Sequence, residues 1–184
     1  MKIAVTGHTS GIGLAIKNFM IAQGHDVRGF SRTNGYDISK DGTLEQIVDE
    51  CKDVDIFFNN AYFDFQQTKL LYSLYQSWKD QRRTIVNIGT IRTQKQDYTY
   101  LDRPNYPLHY WTTKSSLDNA CLFLRGLSTW PRVMLVKPCG VATERNSAYQ
   151  VKKIPSEDFA DLVCHAVLEP RCRIQEISYE VHPD

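Results

Sequence analysis

Residues 1–23 constrain this chain more than any other stretch. Residues 2–6 read as a short apolar strand, Gly7-His8-Thr9-Ser10-Gly11-Ile12-Gly13 follows at once, and residues 13–23 continue with helical spacing. Glycines between a strand and a helix let the backbone approach a phosphate at the helix N-terminus, where unpaired N–H groups and the helix dipole favour an anion. The turn points to a nucleotide-binding α/β unit. The same glycines also serve an ordinary tight turn, so the rest of the chain has to decide.

Apolar runs at 26–30, 55–59, 84–88, 133–137 and 174–181 alternate with helical patterns at 43–51, 69–79, 111–127 and 156–168. This order predicts a Rossmann-type, doubly wound, mostly parallel sheet with helices on both faces, in a single domain over residues 1–184. Runs such as IAV, DIFF, TIVNI and VMLVK lack polar alternation, as strands covered on both faces do. In Pro155-Ser156-Glu157-Asp158 a capping serine and first-turn acids open the last helix. Residues 90–109 and 144–154 fit neither pattern, and both follow strands, where an open parallel sheet binds its ligand.

A net charge of +1 with 23% charged residues argues against a nucleic-acid groove, so a small-molecule partner is expected. The opening residues form neither a signal-peptide core nor a spanning helix, which predicts a cytoplasmic protein without membrane association. Cys51, Cys121, Cys139, Cys164 and Cys172 are odd in number and lack a C-x-x-C pair. Reduced, mostly buried thiols and no metal site are expected.

The glycine spacing of Gly7, Gly11 and Gly13 resembles that of the short-chain dehydrogenases/reductases, and further resemblances follow in order along most of the chain. The resemblance implies that Gly7, Thr9, Ser10, Gly11, Ile12 and Gly13 cradle a dinucleotide. Ser31-Arg32 resembles the NADP-type ending of the second strand, with no acid until Asp37. A planar guanidinium suits a bidentate grip on a 2′-phosphate, so NADP(H) is the preferred cofactor and NAD(H) the other possibility. Asp37-Ile38 resembles the pair that contacts the adenine, and Asn59-Asn60-Ala61 resembles the family's Asn-Asn-Ala-Gly with Tyr62 in place of glycine, bringing Asn60 and Ala61 to the cofactor. Pro138, Val141 and Thr143 lie in Pro138-Cys139-Gly140-Val141-Ala142-Thr143, which resembles the family's loop against the carboxamide or pyrophosphate.

Reducing a carbonyl needs a proton donor beside the developing alkoxide, and a phenol serves near neutral pH only if an adjacent ammonium lowers its pKa from about 10. Tyr110 and Lys114 stand one helical turn apart, on one face. In the resembled family such a pair is acid/base and ribose holder. Thr90 stands where the carbonyl-polarising serine is usual; its hydroxyl can donate the same bond. Where many relatives carry an asparagine that anchors a proton-relay water, alignment places Phe65, with Gln66 and Gln67 beside it and no clear asparagine.

The stretch from Ser31 to Asp37 is too short for the usual helix, the segment after Thr143 is short, and residues 90–110 are long. Tyr98, Tyr100, Tyr106 and Trp111 either stack on a planar substrate or pack the loop; His109 either helps pass a proton or is an ordinary surface histidine. Three functions follow: an NADP(H)-dependent oxidoreductase acting on a small carbonyl or alcohol, a non-catalytic NADP(H)-binding sensor or scaffold, or sugar-nucleotide reductase or epimerase chemistry. Leu70, Leu71, Leu74, Trp78, Leu117, Leu122, Phe123 and Leu127 offer apolar surface for both a core and a homodimer or homotetramer interface.

Overall fold

The computed structural model describes residues 1–94, 108–144, 147 and 152–181. Its strands are β1 (Lys2–Thr6), β2 (Asp26–Phe30), β3 (Ile56–Asn59), β4 (Thr84–Ile88), β5 (Arg132–Lys137), β6 (Val141–Ala142), β7 (Ile154–Pro155) and β8 (Glu176–Ser178). The helices are α1 (Gly11–Ala22), α2 (Thr43–Glu50), α3 (Gln66–Ser77), α4 (Leu108–Leu127) and α5 (Ser156–Leu168). One sheet runs β2-β1-β3-β4-β5-β8 with every neighbouring pair parallel, and β6 and β7 form a small ladder of their own.

Because successive side chains of a strand leave on opposite faces, each apolar run feeds two cores. Ala4, Phe57, Ile85, Val133 and Leu135 pack under α2, α3 and α4, whereas Ile3, Val5, Phe58, Val86 and Val136 pack under α1 and α5. This is the doubly wound, Rossmann-type α/β sheet expected of the alternating pattern. Phe57, Phe58, Leu71 and Leu74 are fully buried, each contributing about 1.5–3 kcal/mol. The stripe Leu117, Ala120, Cys121 and Leu124 seats α4, while Leu122, Phe123 and Leu127 face outward with 59% or more exposed. Of the eight apolar residues shared between core and interface, Leu70, Leu71, Leu74, Trp78 and Leu117 therefore belong to the core.

Several element ends and one cap differ from the sequence reading; α1 and α3, for example, begin early, at Gly11 and Gln66. The helix expected from 111 starts at Leu108, which places Tyr110 inside its first turn. The last strand shrinks to Glu176–Ser178. Ser156 is already helical, and Pro155, with its ring-restricted φ of −52°, takes the N-cap position without a side-chain cap, so the expected capping serine does not cap. Between β2 and α2 a 3-10 turn, Arg32–Asn34, takes the place of a longer unit, and among the described residues the sheet ends at β2. Burial pushes the thiols of Cys51, Cys121 and Cys164 up to about 12, while Cys139 and Cys172 are exposed. Among the described residues no helix is long and apolar enough to cross a membrane, and no group of metal-binding side chains clusters.

Candidate active site

The glycine turn is tied to both neighbouring strands. The Gly7 N–H donates to the Phe30 carbonyl at 2.7 Å, and the Thr6 hydroxyl accepts from the N–H groups of Asn60 and Ala61 at 2.9 and 3.0 Å. Asn60 Nδ2 donates to the Thr6 carbonyl at 3.0 Å, so its amide clips the turn to β3. Gly13 is required by close approach: a Cβ there would lie 2.2 Å from the Gly7 carbonyl oxygen. Gly7 and Gly11 are left-handed, at φ +69° and +51°. Thr9 and Ser10 are exposed at the tip, Ile12 is half-buried, and Ser10 takes the N-cap position of α1 without a side-chain hydrogen bond. The first-turn N–H groups of α1, with no acidic residue among them, suit an anion. His8 lies against Gly29, where a Cβ would fall 2.2 Å from its ring, and burial lowers its pKa.

Two more loops close on this turn. The Thr143 methyl would stand 3.1 Å from a Cβ at Gly11, so the chain beyond β5 reaches the glycines. The Pro138 carbonyl accepts from the Ile91 N–H at 3.1 Å, and Val141 is buried in β6. At the end of β2, Ser31 is buried and its hydroxyl is engaged with Thr33 and Asn34 at 2.7 and 3.0 Å, whereas Arg32 is exposed. The Asp37 carboxylate accepts from the Ser39 N–H and hydroxyl, which holds it below the usual carboxylate range. The Ile38 side chain joins the core under α2 and α3.

Tyr110 and Lys114 come together at the start of α4. The Lys114 ammonium is 5.8 Å from the Tyr110 ring centre and 5.3 Å from that of Tyr62, and the residue is only 4% exposed. It donates to the Ile88 carbonyl at the end of β4 and to Gln67 Oε1 on α3. The Tyr62 hydroxyl pairs with Thr113 at 3.2 Å. Thr90 is 5% exposed; its hydroxyl accepts from the Arg92 N–H at 3.4 Å, capping the 3-10 turn Ile91–Thr93. At the rim, His109 Nε2 pairs with Asp64 at 2.9 Å. Tyr98, Tyr100 and Tyr106 lie outside the described residues, and Trp111 is 36% exposed.

No protein-family model and no curated protein matches the sequence. Solved structures match the whole of it. A short-chain dehydrogenase from Burkholderia cenocepacia J2315, in complex with NADP, superposes with a TM-score of 0.78 at 15% identity over 98% of this chain and 88% of its own. The fold is that of the short-chain dehydrogenases/reductases. The 3-alpha-hydroxysteroid dehydrogenase of Pseudomonas sp. B-0831, complexed with NADH, gives a TM-score of 0.73 at 20% identity over 97% and 94% of the two chains. The 3-ketoacyl-(acyl-carrier-protein) reductase of Brucella melitensis, also complexed with NADH, gives 0.74 at 16% identity over 96% and 95%.

Within this short-chain dehydrogenase/reductase fold, two residues that touch Lys114, Tyr62 and Gln67, are named from the sequence without that role. Tyr62 was visible only as a departure from glycine. Gln67 carried a subtler signal, a polar residue in the stripe of Leu70, Leu71 and Leu74 on α3.

Proposed function

We propose that this chain is an oxidoreductase transferring a hydride between NADP(H) and a small carbonyl or alcohol substrate. The observation that carries the reading is the Tyr110–Lys114 pair, one turn apart at the start of α4 with the ammonium 5.8 Å from the phenol ring, beside the end of β4. Binding alone requires no phenol beside a buried ammonium.

The glycine cradle fits a dinucleotide: a side chain at Gly13 would fill it, and the uncapped first turn of α1 presents N–H groups to a pyrophosphate. Gly7, Thr9, Ser10, Gly11, Ile12 and Gly13 would line that cradle, with Asn60 and Ala61 on one side and Pro138, Val141 and Thr143 on the other. Arg32, with Ser31, Asp37 and Ile38 beside it, would take the adenosine end. NADPH, when bound, supplies the hydride. The Tyr110 hydroxyl gives the proton to the substrate oxygen in reduction and takes it back in oxidation, the Lys114 charge stabilises the phenolate and holds the ribose, and the Thr90 hydroxyl polarises the carbonyl.

Arg32 supports NADP(H) over NAD(H), since the first acid after β2, Asp37, is already engaged by Ser39. Titration with both cofactors, followed by a panel of small aldehydes and ketones with loss of NADPH absorbance as readout, tests the reading. A chain that binds neither cofactor overturns it. A second reading, a non-catalytic NADP(H)-binding sensor or scaffold, is favoured by the Tyr62 ring over Lys114. Cofactor binding without turnover of any carbonyl selects it. The outward Leu122, Phe123 and Leu127 support self-association as a homodimer or homotetramer, which light scattering checks.

A further inference from the structure

Gln67 is 3% exposed among leucines, where an unpaired primary amide would be strongly unfavourable. Its polar groups are matched instead. Nε2 donates to the Asn59 carbonyl at 2.6 Å and to the Ile88 carbonyl at 3.0 Å, and Oε1 accepts from Lys114 Nζ at 2.7 Å. Two carbonyl oxygens face Nε2 and an ammonium faces Oε1, so the amide has a single favourable orientation. Flipped, it would set oxygen against oxygen and N–H against N–H. The Ile88 carbonyl also accepts from Lys114, at 2.8 Å, which closes a ring of amide, ammonium and strand end. Asn59 Nδ2 donates to the Gln67 carbonyl at 2.8 Å and to Asn87 Oδ1 at 2.9 Å, pinning the first turn of α3 to the same strands.

We propose that Gln67 is the positioning residue for Lys114, fixing its ammonium beneath the rings of Tyr62 and Tyr110 by direct contact. The inference rests on the reading of Tyr110 and Lys114 as the working pair of an NADP(H) site. An ammonium withdrawn from water needs acceptors of fixed direction, and the clamped amide supplies one with no freedom to rotate. Lys114 reaches its acceptors from α4, Gln67 from α3 and Ile88 from β4, so the ring also sets the distance between the helices at the site.

The test uses Gln67→Met, which keeps the reach of the side chain and removes its hydrogen bonds, and measures affinity for NADPH and for adenosine 2′,5′-bisphosphate, alongside kcat and KM. The bisphosphate lacks the nicotinamide ribose assigned to Lys114. NADPH affinity is expected to fall roughly tenfold to a hundredfold, as for loss of a hydrogen bond to a charged group, with bisphosphate affinity unchanged. On a Lys114→Met background the same substitution should add nothing further. A parallel loss for both ligands, or unchanged NADPH affinity, overturns the positioning role. If Gln67→Met does not fold, Gln67→Asn keeps the amide one methylene short and should show the same split, more weakly; its absence is equally decisive. Failure of the unmodified chain to bind either ligand would instead overturn the nucleotide-site reading, and this proposal with it.

Discussion

The ring of Tyr62 meets that of Tyr110 edge-on, centroids 5.0 Å apart and planes at 70°, and stands closer to the Lys114 ammonium than Tyr110 does, at 5.3 against 5.8 Å. A group approaching Lys114 on the side that this ring covers has to share space with it. Tyr62→Ala should therefore tighten NADPH binding by roughly two- to tenfold, the worth of one aromatic contact that no longer has to be broken. Fluorescence titration checks this. Weaker binding would make Tyr62 a wall of the site instead of a cover.

Tyr110→Phe keeps the ring that packs on Tyr62 and removes the hydroxyl. Turnover should fall by roughly 10²–10⁴-fold while cofactor affinity stays nearly intact. A variant that keeps more than about a tenth of the rate would remove Tyr110 from the chemistry.

Thr90 is nearly buried, and its hydroxyl already caps the turn at Arg92. Thr90→Ser preserves the hydroxyl and should be almost neutral. Thr90→Ala should lower kcat by roughly 10²–10³-fold if the hydroxyl serves the developing charge. An inactive serine variant would assign the methyl a packing role.

Arg32 is exposed at the sheet edge, next to a Ser31 whose hydroxyl is consumed locally. On the proposed reading, Arg32 is the residue that discriminates the cofactors. NADPH should bind about tenfold to a hundredfold more tightly than NADH, and Arg32→Ala should erase most of that difference. Calorimetry with both cofactors decides; equal affinities in the unmodified protein would contradict the assignment.

Burial raises the pKa of Asp118 on α4, against the opposing hydrogen bonds of Thr93 and Lys137, the latter at 3.1 Å. The folded protein thus holds this proton more tightly than the unfolded chain does. Its contribution to stability is whole below the ordinary value of 3.8 and is lost as pH rises through the folded one. Asp118→Asn should raise the melting temperature at neutral pH, and the gain should vanish near pH ~4. Lys137 retains Glu176 at 3.3 Å in that variant. A loss of stability at neutral pH would show that the ion pair outweighs its desolvation.

The parallel order of the sheet was legible because fully covered strands read as unbroken apolar runs and helices as a different period; β1, β2, β4 and α5 span the residues the pattern indicated. The glycine turn was legible for the same reason, since close packing at Gly13 leaves no chemical alternative. Tyr110 and Lys114 were legible as a spacing. Their surroundings were not. Whether Tyr62 lies over Lys114 depends on how the chain leaves β3, and whether Gln67 faces the sheet depends on where α3 begins, three residues earlier than its apolar periodicity suggested. Non-local contacts such as Asn59 with Asn87 leave no periodic trace at all.

That asparagine pair also bears on which alignment of the strands is chosen during folding. Asn59 and Asn87 are partners in the β3–β4 ladder, and both are wholly buried. The runs IFFN and TIVNI present apolar groups to both faces, so a slipped β3 would lose little hydrophobic contact. It would, however, break the amide–amide hydrogen bond between Asn59 and Asn87 and leave those buried polar groups without that partner. The polar pair thereby acts as a check on misalignment, penalising the offset ladders that greasy parallel strands would otherwise tolerate.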